Sequence, residues 1–393
     1  MESVCAVILV ADPKTNPVHG LQEVLFKPMV TWVADACREA QISSICVWGA
    51  PKPDASWAEE LLWQEPVEFL AKGEGDVLLL KGEMPMLSGE LLRQLVQLHQ
   101  ERGNTLTEMF SQGGAIYCAK SDYLLKNWDS IGTGSASLMG SAQQAGERIQ
   151  LVESPNPEEL FCPKNPSELL TLRERAKDLQ IQRLCESGVE ILSKDGVLVD
   201  PRAKVGKGTV LYPGTILRGN VTIGEGCVIG PNTLIEESVV GDQTVINASQ
   251  VYQSQVGNFV KIGPFTQLRP NCTVHDHVKI GDFVELKNSV IGEKTSVAHL
   301  TYIGDSDFGK NINVGCGVVT VNYDGIHKHR TTVEDDVFIG CNSNLVAPVT
   351  MHKGSYSAAG TTVTHEVPEY ALVIGRSRQE VKPGWAVGKR KKK

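Results

Sequence analysis

The chain of 393 residues has ten cysteines and no C-x-x-C pair among them, which removes the commonest spacings for a dithiol redox centre or a zinc knuckle. No window approaches the ~20 consecutive apolar residues of a membrane span, so no membrane span is expected. The opening "MESVCAVILVADP" has no positive n-region and only a short apolar run, so a secretory leader is not expected either. A reducing cytoplasm is therefore the expected compartment, with most cysteines acting as small core hydrophobes. Positive charge is not in excess. A formal net charge of −8 argues against general nucleic-acid binding. The dense basic cluster "KRKKK" at the C-terminus reads as a solvated tail or as an arm that meets a polyanionic ligand.

Long strands are also missing from the second half. "DFVELKNSVIGEKTSVAHLTYIGD" has too many turns and too little bulk for ordinary β-protein. What it has instead is a period of six. Val199, Val205, Leu211, Leu217, Ile223, Ile229 and Ile235 fall six apart. The register is lost near "SVVGDQTVINASQ" and returns at Val256, Ile262, Leu268, Val274, Ile280 and Leu286. After one slip it continues at Ile291, Val297 and Ile303, and a third run has Val333, Ile339, Leu345, Met351, Ser357 and Val363. Such hexads are the signature of a parallel β-helix, in which each aliphatic residue stacks inward on its equivalents in neighbouring coils. "DFGKNINVGCGVVTVNYDGIHKHRTT" interrupts the period and reads as an insertion leaving on one face.

The first half alternates apolar strands with helical patterns, which suggests a parallel sheet covered by helices. Its first strand should open into a glycine-rich phosphate loop. It opens instead into "VADPKTNPVHGLQEVL", where Gly20 is the one glycine and two prolines remove backbone donors. "IGTGSAS" at 131–137 is too far along to substitute and reads as a loop. A linker helix follows in "NPSELLTLRERAKDLQIQRLCESG": Asn165 can cap it, Pro166 suits its first turn, and Gly188 can end it. Leu169, Leu172, Ala176 and Leu179 would form its apolar stripe. The expected division is 1–164, a linker helix at 165–188, and 189–393.

The motifs "GPFTQLRP", "FVELKNSVIG", "HLTYIGD", "NINVGCG", "VNYDG", "VFIGCNSNLVAPVT" and "AAGTTVT" resemble those of the GlmU-type family. That family joins N-acetylglucosamine-1-phosphate uridyltransferase to glucosamine-1-phosphate N-acetyltransferase. The resemblance implies an α/β, Rossmann-like nucleotidyltransferase domain followed by a left-handed parallel β-helix that assembles as a homotrimer. It implies that His299 is the catalytic base, and that Arg269, Lys287, Tyr302 and Asn313 contact the sugar phosphate, with Lys328 in addition. Asn322, Tyr323, Ala359 and Arg376 match positions that bind acetyl-CoA. Cys316 and Cys341 stand at two further such positions, where Ala and Ser are usual. Glu285 is expected to orient His299 or raise its basicity.

The uridylyl half departs from the family pattern. Its phosphate loop is replaced, Glu23 stands at the position of a phosphate-binding Lys, and the uridine segment is missing before "GDVLLLKGE". Glu83 stands where an Asp ligand of Mg2+ is usual, and Asn165 matches the other ligand. The resemblance thus implies an acetyltransferase that uses acetyl-CoA as cosubstrate and has lost nucleotidyl transfer, with Mg2+ needed only if the first domain is active. Two other readings stay open: a fully bifunctional enzyme, and a non-catalytic trimeric scaffold that senses a nucleotide sugar.

Overall fold

The computed structural model describes residues 3–72, 75–132 and 138–387. The basic tail at 389–393 and most of the segment read as a loop at 131–137 lie outside these residues. Residues 131 and 132 close the helix Ser121–Gly132 rather than starting a loop. The chain forms two compact units, residues 1–180 and 181–393. Among the described residues no helix is long and apolar enough to cross a membrane.

The first unit is built on one mixed sheet. Its strands lie in the order Leu62–Trp63, Ile45–Trp48, Val4–Leu9, Asp76–Lys81, Gly114–Lys120, Leu106–Ser111, Ile149–Glu153. The first four run parallel; Gly114–Lys120 is antiparallel to both its neighbours. Alternate residues of the central strand Val4–Leu9 enter the two separate cores, Ala6 and Ile8 into one and Val7 into the other. A sheet covered on both faces demands this near-continuous apolar strand.

The helix Pro166–Glu186 begins as its sequence suggests. The Asn165 side-chain oxygen accepts the Glu168 N–H at 3.0 Å, and the Glu168 carboxylate takes the Lys164 N–H at 2.8 Å. Leu179, expected on the apolar stripe, is 38% exposed, while Gln180 is buried. The reason is the helical period: steps of four from Leu172 through Ala176 arrive at 180 and 184, and Leu184 joins the core of the second unit. Gly188, at φ +91°, follows the last turn.

Among the described residues the second unit is a prism of three parallel sheets with eleven, ten and nine short strands. From Glu190–Ile191 to Asn344–Val346 each strand pairs with the third strand after it, one coil on, and in the last coil Tyr356–Ser357 pairs with Leu372–Val373, so every coil rests only on its neighbours. The aliphatic hexad residues form one continuous buried core from Leu184 to Val367. The loss of period near 238–250 is not a break. Val240, Ile246 and Val251 are fully buried in successive strands, and the spacing drops from six to five where turns are one residue shorter. The expected insertion is also smaller than it reads. Phe308, Val314 and Thr320 carry the coils forward, and only residues 322–330 leave the prism.

Candidate active site

Corners of the prism decide which side chains meet. At one corner the chain turns through Phe283, Leu300, Gly317, Asn342 and Gly360 in successive coils, all at positive φ. Such residues are uncommon for non-glycine side chains, and they fix the edge of the sheet at the residue before. Those preceding residues are Asp282, His299, Cys316, Cys341 and Ala359. The strand register agrees: Asp282 pairs with His299, and Val297, Val314, Ile339 and Ser357 stack two residues earlier. Backbone bonds join the coils here, with Asn342 N–H donating to Cys316 O at 2.7 Å and Gly360 N–H to Cys341 O at 2.8 Å. Four residues expected in catalysis or acetyl-CoA binding thus form one column, with ~4.8 Å between coils. Arg376 joins its far end: a Cβ built on Gly360 would lie 3.9 Å from Arg376 Cδ.

The carboxylate on His299 is Asp282, not Glu285. His299 Nδ1 lies 2.6 Å from Asp282 Oδ1. That contact is the largest cause holding the Asp282 carboxyl below the usual carboxylate range. Glu285 is engaged elsewhere, accepting from Arg269 Nη1 at 3.0 Å. The mismatch is one of register. Glu285 lies past the corner, on the next sheet, where it pairs with Tyr302 rather than His299.

A second cluster occupies that next sheet. Arg269, Lys287 and Gly304 stack in successive coils. A side chain at Gly304 would collide with the Tyr302 hydroxyl, so glycine there leaves the face open beside Tyr302. The face borders a cleft of about 580 Å³ lined by Arg269, Lys287, Lys328 and Arg330, with Asn288, Asp305 and His329. Arg330 is held bidentate by Asp307, at 2.8 and 2.5 Å. Lys287 and Lys328 have no carboxylate within ion-pair distance among the described residues. The neighbouring Lys328 ammonium, then loss of water, pushes the Lys287 ammonium below its ordinary value. An anion placed between the two would relieve that repulsion. His299 does not line the cleft. It stands at the preceding corner, with Tyr302 between them along the chain.

The remaining expected residues divide. Asn313 is exposed one coil beyond His299's own strand. Asn322 is buried and donates to Asp305, beside the cleft rather than on the cysteine column. Tyr323 and Lys328 pair as the two sides of the small excursion, which Asp324 ties together by accepting from Ile326 and His327 N–H and from His329. Sequence reading missed Asp282, Asp305, Asn288 and Arg330. For Asp282 the signal is there: it precedes Phe283 as His299 precedes Leu300, one coil earlier.

The expected Mg2+ ligands do not fit a metal. Glu83 is buried, and its Oε1 accepts the Ala11 N–H at 2.9 Å and the Gly20 N–H at 2.8 Å. Burial pushes its carboxyl up, against those two donors. An internal carboxylate thus takes the loop donors that a phosphate would need. Asn165 is committed to its helix cap. Among the described residues no group of three or more His, Cys, Asp or Glu side chains is placed to hold a metal ion.

The model for bacterial transferase hexapeptide repeats matches residues 202–237 and 253–288. Over the whole chain the similarity is more specific. The bifunctional protein GlmU of Alkaliphilus metalliredigens is 33% identical over 447 aligned positions, covering 98% of each chain. The chain belongs to the bifunctional GlmU family. The GlmU protein of Caldanaerobacter subterraneus is 35% identical, covering 100% of this chain and 99% of its own. That of Halalkalibacterium halodurans is 32% identical, covering 98% of each. These alignments exceed the 393 residues here, so the GlmU relatives carry segments that this chain lacks. As a member of the GlmU family the chain is a hexapeptide-repeat transferase, with a nucleotidyltransferase-like unit ahead of a left-handed parallel β-helix.

Proposed function

We propose that the β-helical unit transfers the acetyl group of acetyl-CoA to the amine of glucosamine 1-phosphate, on the route to UDP-N-acetylglucosamine. The observation that carries the reading is the edge column, which sets His299 at one end of a run formed by Cys316, Cys341 and Ala359, with Arg376 beyond. In this reading the extended cosubstrate lies along the column and delivers its thioester to the imidazole. The sugar's phosphate sits in the cationic cleft, where Arg269 offers a planar fork and Lys287 and Lys328 offer point charges.

The chemistry follows from protonation states. An amine with a pKa of ~8, the value of an α-amino group, is mostly protonated at neutral pH, so a proton must leave before or during attack. A free imidazole, near ~6.5, is mismatched by ~1.5 pH units, about 2 kcal/mol, which positioning offsets. His299 takes the proton, the amine attacks the carbonyl, and the collapsing intermediate expels coenzyme A as thiolate, which recovers the proton.

Uridylyl transfer is lost in this reading, because Glu83 satisfies the loop that would grip a triphosphate. The working assembly is a homotrimer in the cytoplasm. Prisms packed side by side deepen a shallow face into a crevice that encloses a ligand as long as coenzyme A. The test is thiol release from acetyl-CoA by the full chain, with and without glucosamine 1-phosphate, alongside pyrophosphate release from UTP with Mg2+. Sugar-dependent thiol release without pyrophosphate is the expected result. Thiol release that ignores the sugar overturns the acetyltransferase reading, and enzyme-like pyrophosphate release restores bifunctionality.

A further inference from the structure

We infer that Asp282 is the positioning residue of the acetyl transfer: it fixes the His299 ring with its proton on Nδ1 and leaves Nε2 free to face the amine. The inference rests on the acetyltransferase reading but is carried by its own geometry. Asp282 and His299 are backbone partners in adjacent strands, Lys279–Asp282 and Ser296–His299. Each stands immediately before a residue at positive φ, Phe283 at +55° and Leu300 at +47°. Neighbouring coils therefore turn at the same place, and the two side chains leave the edge together. The result is the 2.6 Å contact between His299 Nδ1 and Asp282 Oδ1.

Both side chains are reached by solvent, at 57% and 38% exposure, so the contact is not forced by packing. A carboxylate can only accept a hydrogen bond, so the imidazole must donate, and the donating nitrogen is Nδ1. Neutral imidazole then has its lone pair on Nε2. The proton inventory closes: the amine's proton passes to Nε2, the Nδ1 proton stays on Nδ1, and the Nε2 proton leaves with the coenzyme A sulfur. Asp282 is not protonated in the cycle. Its charge faces the imidazolium that forms, as the carboxylate does in other base–orienter pairs. No other carboxylate is within ion-pair distance of His299 among the described residues. Glu285 cannot replace it, being bound to Arg269.

The experiment uses the full chain with 15N-labelled histidine, the His299 signals being assigned by their loss in His299→Ala. Wild-type protein, Asp282→Ala and Asp282→Glu are compared by ring-nitrogen shifts and by steady-state acetyl transfer. The wild-type ring is expected to carry its proton on Nδ1. Asp282→Ala is expected to move it to Nε2 and to lower kcat about 100-fold, at the low end of what a general base contributes, with KM for both substrates within about twofold. Asp282→Glu, which keeps the carboxylate one methylene further out, is expected to restore the tautomer and part of the rate. A wild-type ring protonated on Nε2, or an Asp282→Ala protein with unchanged tautomer or kcat, overturns the inference. Because the nitrogen shifts need no turnover, a protein that acetylates nothing would sink the functional reading while the tautomer still decides the role of Asp282.

Discussion

Lys287→Ala and Lys328→Ala test the phosphate cleft together. Both ammonium groups line it with no carboxylate within ion-pair distance among the described residues, while Arg269 is shared with Glu285 and Arg330 with Asp307. A charge-assisted hydrogen bond contributes roughly 1.5–3 kcal/mol, and solvent reaches this cleft, so the lower end applies. Each substitution should then raise KM for glucosamine 1-phosphate about tenfold. The two losses should not add. Lys328 is the chief cause of the lowered Lys287 pKa, so removing either lysine lets the other hold its proton and its phosphate contact more firmly. The double variant should therefore lose more than the product of the single losses. KM for acetyl-CoA should stay within about twofold, since the cysteine column lies past another corner. Glucosamine without its phosphate is the control, and its poor KM should not change further. An equal loss for the phosphate-free sugar, or a matching rise in KM for acetyl-CoA, would refute the assignment of the cleft to phosphate.

Thiol chemistry probes the cosubstrate edge. Cys341 is exposed, as is Cys185 in the helix, so both should alkylate. Acetyl-CoA should slow modification of Cys341 but not of Cys185, and alkylated Cys341 should abolish transfer while Cys341→Ser stays active; equal protection of both thiols would remove the column from the cosubstrate site. Acid should act on the first unit through Asp76. Burial alone would raise its carboxyl, but His99 at 3.4 Å, the Lys120 ammonium at 2.9 Å and the hydrogen bond from Gln100 at 2.9 Å outweigh that and hold it at about 2. Its stabilisation is thus present above the ordinary value of ~3.9 and is lost as pH falls toward about 2. Five of the six tryptophans lie in the first unit, so their fluorescence reads its unfolding. Asp76→Asn should flatten the acid limb over that window, and an unchanged limb would contradict the assignment.

The hexads made the β-helix legible, because inward aliphatic residues at a fixed step leave no other way to bury them. Where the step shortened, at Val240 and Val251, the sequence looked broken although the coil was not, since turn length and not burial sets the spacing. The residues of the proposed site were named one by one through resemblance to the GlmU family, and their grouping was not legible. His299, Cys316 and Cys341 lie seventeen and twenty-five residues apart, and only the left-handed corner before each step reveals that they stack. Glu285 was expected to orient His299 or raise its basicity. A corner intervenes, and the true neighbour lies one coil back at Asp282. Glu83 misled for another reason: it stands where the family has a metal ligand, whereas its buried carboxyl group accepts from two loop N–H groups.

The most direct measurement follows a 13C-labelled acetyl group from acetyl-CoA in wild-type protein and in His299→Ala, with glucosamine 1-phosphate present. Wild-type protein should place the label on the sugar nitrogen. The His299→Ala protein should do so at a rate lower by about 10²–10⁴, with unchanged assembly size. Equal rates of labelling in the two proteins, or label that never reaches the amine, would contradict the account.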